Sequence, residues 1–240
     1  LGIESSSLVA SVALVTDDIL TGEYTANFKK THSQTLLPML DELAKLLELD
    51  LNTVDAIAVA GGPGSFTGLR IGAATAKGLG LALKKPLIHV PTVDALAYNM
   101  WGASGLICPI MDARRNQVYA AFYMWENGKL IRLTDHMAES IERVIEIAEM
   151  LEHEVIFLGD GVPVHRERLE QNPAFLFAPA HCNMQRASAV AALGAIMAEE
   201  GLAKPGNAFE LIYLRKSQAE RQREAELSPE GAAGKLPGDY

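Results

Sequence analysis

Alternating apolar and polar positions open the chain and predict strands. LGIESSS, residues 1–7, is a short apolar run that ends in Glu4. VASVALVTDD and ILTGEYTANF follow on either side of a turn after Asp17 and Asp18. Together the three predict an antiparallel meander. The period then lengthens. Thr31-His32-Ser33 starts a helix running to about Leu47, with Pro38 near its first turn, where proline is tolerated. AIAVA reads as a buried strand, GGPGS as a glycine-rich turn, and residues 66–83 as a second helix. LIHV is another strand after Pro86, and a short helix covers residues 93–100.

The same order returns. LICPIMD is an apolar strand ending in Asp112, and QVYAAFYMWE and KLIRLTDHMA flank the turn Asn127-Gly128. A helix over 140–151, the strand and glycine turn VIFLGDG, a shorter helix, a strand at FLFAP and a long helix over 186–200 complete it. Three strands, helix, strand, helix, strand, helix thus occur twice. Such duplication is the signature of the actin-like ATPase (ASKHA) architecture, an α/β fold. Two subdomains with mixed five-stranded sheets face each other there across a nucleotide cleft. The expected subdomains are 1–103 and 104–216, the last helix packing back on the first. A plain Rossmann fold is the alternative; it is disfavoured because each half opens on a meander rather than a βαβ unit. From Ser217 the pattern fails, and 217–240 reads as a flexible tail.

Composition removes several functional classes. Of 240 residues, 49% are apolar and 21% charged, as in ordinary globular proteins. No apolar run nears the ~20 residues that span a bilayer, and no signal peptide is expected at the start. With Cys108 and Cys182 the only thiols and no C-x-x-C pair, a reducing cytoplasm is expected. The formal charge of −9 gives no general attraction to nucleic acid. If RNA is involved, another subunit is expected to hold it.

Three features stand out. GGPGSFTGLRIG, residues 61–72, links a buried strand to a helix. It lacks the Lys and hydroxyl of a P-loop and the flanking glycines of a nucleophile elbow. It is either a structural turn or a place where a ligand or another chain comes close. Gly68, Gly72, Ala76 and Gly80 recur every four residues, a flat stripe for the protein's own sheet or for another helix. On the first helix Leu36, Leu37, Leu40, Leu43 and Leu47, with Met39, Ala44 and Leu46, cover most of the circumference. A helix apolar nearly all round is buried on two sides, one of which a neighbouring helix or a subunit can supply. Finally, Glu4 and Asp112 end the first strand of each half, where actin-like ATPases place acidic residues beside phosphates and metal. Ser5 and Ser6 follow Glu4 in place of a glycine. Arg114 and Arg115 follow Asp112, set either for an anion or for an internal ion pair. Gly159-Asp160 makes the matching turn of the second half. The six histidines form no zinc spacing, and His32 reads as part of a helix cap.

Taken together, ESSS, HSQTLLPML, AIAVAGGPGSFTGLRIGAATAKGLG and MDARRNQVYAAFY resemble the bacterial TsaB (YeaZ) family. The match covers about residues 1–125, with an echo at YLRKS. The resemblance implies an actin-like fold and a non-catalytic role in forming threonylcarbamoyladenosine in tRNA. It implies binding to the catalytic paralogue TsaD, with the ATPase TsaE joining and a homodimer in isolation. The helices matching 33–47 and 66–83 form that interface in the family, which assigns it Leu36, Leu37, Leu40, Leu43, Leu47, Gly68, Leu69, Gly72, Ala76 and Gly80. No metal and no required cofactor are implied; ATP or ADP in the cleft stays open. Two departures matter. Glu4 replaces the family's usual Asp, and only His32 stands on the helix where the paralogue carries a metal-binding histidine pair.

Overall fold

The computed structural model describes residues 1–28 and 31–215. The expected tail, 217–240, lies outside the described residues.

The first half opens on strands β1 (Gly2–Glu4), β2 (Val9–Thr16) and β3 (Ile19–Asn27). Helix α1 (His32–Leu46), β4 (Ile57–Ala60), α2 (Phe66–Leu83), β5 (Leu87–Val90) and α3 (Thr92–Tyr98) follow. The sheet order is β3-β2-β1-β4-β5, antiparallel across the meander and parallel from β1 to β5. Pro38 sits in the second turn of α1 rather than near its first.

The second half contains β6 (Leu106–Asp112), β7 (Gln117–Ala120), β8 (Tyr123–Glu126), β9 (Lys129–Arg132) and β10 (Met137–Ser140). It continues through α4 (Ile141–Met150), β11 (Val155–Leu158), α5 (Val162–Leu169), β12 (Phe175–Phe177) and α6 (Ala187–Glu199). Its path, β10-β7-β6-β11-β12, repeats the first sheet strand for strand. The sheet nevertheless counts seven strands where five were expected, because each of two long meander strands is broken. β8 continues β7 along β6 in one register, with Ile110 opposite Ala120 and Ile107 opposite Tyr123. At the break the Phe122 N–H donates to the Thr134 hydroxyl at 3.1 Å instead of to a strand. The Asn127-Gly128 turn has both residues at positive φ, as a two-residue hairpin requires.

The outer face of each sheet carries its own core, with α1 and α2 on the first sheet and α4 and α5 on the second. The inner faces share the remaining helices. α3 packs on the second sheet through Leu96 and Ala97, beside Ile107 and Tyr123. α6 lies against β1, β2, β4 and β5 of the first sheet. Its alanine-rich sequence lets it approach so closely that a methyl group on Gly194 would collide with Ala58. A half-buried ion pair fixes its start, since Arg186 and Ser188 both donate to Glu23 on β3. Burial opposes the charge on Glu23, but those donors outweigh it and hold the carboxyl below its usual range.

Candidate functional site: a cleft and a two-helix surface

A cleft of about 750 Å³ opens between the halves, where β1, β6 and the β11 turn end. Ser6 and Ser7 line it from one side, and Asp112, Arg114 and Asp160 from the other.

The glycine-rich segment meets the protein's own chain. The Ser5 hydroxyl donates to the Gly68 carbonyl at 2.9 Å. The Ser65 N–H donates to the Ser6 carbonyl at 2.6 Å. A Cβ on Gly68 would collide with the Ser5 carbonyl, and one on Gly72 with the Ser5 hydroxyl. Gly80 faces Leu87 in the same way, and Ala76 is fully buried. The stripe Gly68, Gly72, Ala76, Gly80 is therefore covered from within, and Leu69 with it. On α1, Leu36, Leu40 and Leu43 are likewise buried, and Leu47 partly so. Of the ten residues expected at a partner interface, Leu37 alone is fully presented, 53% exposed. The reason is geometric. Residues at i, i+4 and i+7 of a helix share one face, and here that face belongs to the sheet.

The outward face is a different set. Leu46 is 72% exposed and Leu81 83% exposed, and Ala74 and Gly78 are exposed on α2. A Cβ on Gly78 would meet nothing within 4 Å. Helices α1 and α2 pack side by side, and the exposed positions of α1 also carry Lys45 paired with Asp41 and Glu42, so the outward face is mixed rather than apolar.

Glu4 and Ser5 do not line the cleft; Glu4 is buried behind the serine loop and accepts the Ser6 N–H at 2.6 Å through Oε1, while Oε2 has no partner. Burial pushes its pKa up to about 7 against these hydrogen bonds, with help from the charge of Asp160. Asp160 is also raised by burial, although Gln185 donates to it at 3.0 Å. Asp112 accepts the Arg114 N–H at 2.8 Å, and the Arg114 guanidinium lies 3.6 Å from the same carboxylate. The two arginines do not converge on one anion, since Arg114 lines the cleft and Arg115 does not. Gly159, at φ 107°, sits against the Ile110 carbonyl, and Asp160 rather than Gly159 reaches the cleft. His32 does not cap α1. Its Nε2 donates to the Ser7 carbonyl at 2.8 Å and steadies the serine loop.

The C-terminal segment, whose YLRKS run carries no motif of its own, holds the two halves together. The Ile212 N–H donates to the Gly61 carbonyl at 2.8 Å. The Tyr213 ring packs 4.9 Å from Phe66, and Arg215 donates to the Ala113 carbonyl at 2.6 Å. This strap ties the glycine loop of the first half to the β6 end of the second.

Residues 22–222 match the family model for TsaD, tRNA N6-adenosine threonylcarbamoyltransferase. The tRNA threonylcarbamoyladenosine biosynthesis protein TsaB of Bacillus subtilis is 33% identical over 223 residues, covering 92% of this chain and 95% of its own length. The chain belongs to the TsaB family. The Escherichia coli protein of the same name is 34% identical over 167 residues, 67% of this chain and 71% of its own. A solved structure described as YeaZ from Pseudomonas aeruginosa superposes with a TM-score of 0.76 at 27% identity. It covers 88% of this chain and 97% of its own. The TsaB-family frame agrees with the two-sheet actin-like fold described above.

Proposed function

We propose that this chain is the non-catalytic partner subunit of the assembly that forms threonylcarbamoyladenosine in tRNA. It binds and stabilises TsaD, TsaE joins the pair, and without TsaD it forms a homodimer. It acts in the cytoplasm and needs no cofactor. The observation that carries this reading is the outward side of α2, where Leu81 stands 83% exposed with Ala74 and Gly78 exposed on the same helix. A large exposed apolar side chain beside small residues on a helix suits close approach by another helix. The cleft supports the non-catalytic part. Its serine loop is clamped to α2, and Glu4 is buried with a raised pKa, a poor anchor for a divalent cation.

One observation favours a second reading, an actin-like ATPase. The cleft has room for a nucleotide, and the Ser6 hydroxyl and Glu4 Oε2 lack partners beside it. A reconstitution separates the two. Threonylcarbamoyl transfer to tRNA is measured with TsaD, TsaE and a supply of threonylcarbamoyl-AMP, with and without this chain. ATP turnover by the isolated chain is measured alongside. Restoration of transfer with no turnover by the chain alone is the expected result. Transfer that ignores the chain would sink the partner reading, and turnover by the chain alone would favour the ATPase.

A further inference from the structure

Helix α2 has a third face. Arg70 and Lys77 are spaced seven residues apart on the helix, about 10 Å along one line, and Lys84 follows as its left-handed C-cap. α2 contains no Asp or Glu at all, although the chain as a whole carries −9. Two grooves run along this flank, between α2 and the segment that leads into the strap. One, of about 530 Å³, holds Arg70 and Lys77 against Phe209 and Tyr213. The other, of about 750 Å³, holds Lys77, Lys84 and Lys85 against Lys204. Lys77 lines both, so the two grooves adjoin and make a furrow beside α2 from Arg70 to Lys84. Among the described residues, Glu210 is the only acidic residue lining it. None of the five cations makes a salt bridge among the described residues. Lys77 faces the Phe209 ring at 5.9 Å, and Arg70 gives one N–H to the Tyr213 hydroxyl at 3.4 Å.

Five cations gathered along one flank of an acidic protein, none in a salt bridge among the described residues and Lys85 alone near a carboxylate, that of Asp50, call for an anionic occupant with repeated charge. We propose that the furrow binds the phosphate backbone of tRNA, so that this chain touches RNA itself as well as through its partner. The proposal rests on the function proposed above, and it departs from the expectation that another subunit alone holds the RNA. A phosphodiester strand carries one charge per nucleotide at regular spacing, which suits cations set in line. An acidic peptide would occupy one or two of them and leave the rest of the ladder unused. Ala74 and Leu81 line the furrow's edge while Gly78 does not, so the furrow borders the surface proposed for TsaD.

The test titrates labelled unmodified tRNA into the full chain and into its complex with TsaD, over a range of salt. Wild type is compared with a variant carrying Lys77→Ala, Lys84→Ala, Lys85→Ala and Lys204→Ala. The variant is expected to bind tRNA at least about tenfold more weakly, and its slope of log affinity against log salt to be shallower by about 3. Its recovery with TsaD stays unchanged. Affinity and slope equal to wild type would overturn the proposal. So would unchanged tRNA binding with weakened recovery of TsaD or TsaE, which would assign the lysines to a protein partner. Failure of the partner reading shows separately, as absence of TsaD binding by the wild-type chain.

Discussion

Helix α2 carries glycines on two faces, one inward and one outward, and they serve different ends. Gly68 and Gly72 are pressed against Ser5, where no side chain fits. Gly78 looks into open space. A glycine in a helix interior costs about 1 kcal/mol against alanine. On the inner face the close approach of the serine loop offsets that cost, whereas on the outer face nothing within the chain does. A glycine with no internal reason to be there points outward, to whatever covers the face.

Substitutions can break this contrast, and the largest effect is expected inside. Gly68→Ala forces Cβ onto the Ser5 carbonyl, which is backbone and cannot swing aside. Stability should fall by about 3 kcal/mol, read as a lower denaturation midpoint. A midpoint unchanged from wild type would mean that the serine loop is not clamped.

The next effect concerns Glu4, which starts the same loop. Its folded pKa is raised to about 7, so the folded state holds a proton that the unfolded state releases above about 4.5. Stability from this group is therefore full at low pH and is lost as pH rises between about 4.5 and 7. Glu4→Gln should flatten that loss and gain on the order of 2 kcal/mol at pH 8. Unfolding curves across pH that match wild type would refute it.

Glu23 behaves in the opposite sense and anchors α6 rather than the loop. Its folded pKa is lowered, so its contribution is present above the unfolded carboxylate pKa and is lost as pH falls through the folded value. Arg186→Ala should destabilise by about 2 kcal/mol near neutrality, and by less in acid. A cost independent of pH would rule out the ion pair as its source. The smallest effect belongs to Gly78→Ala, expected to stabilise by about 0.5–1 kcal/mol because the helix gains propensity and meets no clash. Destabilisation there would remove the contrast between the faces.

Much of the fold was legible because period and punctuation agree along the chain. GGPGSFTG announced both a turn and a helix start, and the structure has α2 begin at Phe66 with Ser65 as its cap. The identity of what packs on each face was not legible. Leu36 and Leu37 are neighbours in sequence with the same chemistry, yet one is buried and the other exposed. That difference depends on the angle at which α1 meets β2, a long-range contact that no local pattern encodes. The glycine stripe misled for the same reason, since small residues signal a close neighbour but not which one. Gly78 lies off the four-residue spacing, so no local pattern marks it. The strap residues Tyr213 and Arg215 act across more than a hundred positions, on Arg70 and Ala113. The break in the second sheet depends on one side chain, Thr134, replacing a strand hydrogen bond.

The claim that the outer face of α2 is where TsaD docks is tested most directly by the affinity of this chain for TsaD, measured by calorimetry for wild type and for Gly78→Arg. The long side chain has room in the free chain, so the thermal midpoint should stay at the wild-type value. A weakening of binding by about a hundredfold or more is expected, as a charged wedge at the centre of a packed interface costs several kcal/mol. Wild-type affinity in the Gly78→Arg variant would contradict the assignment and place the partner elsewhere on the molecule.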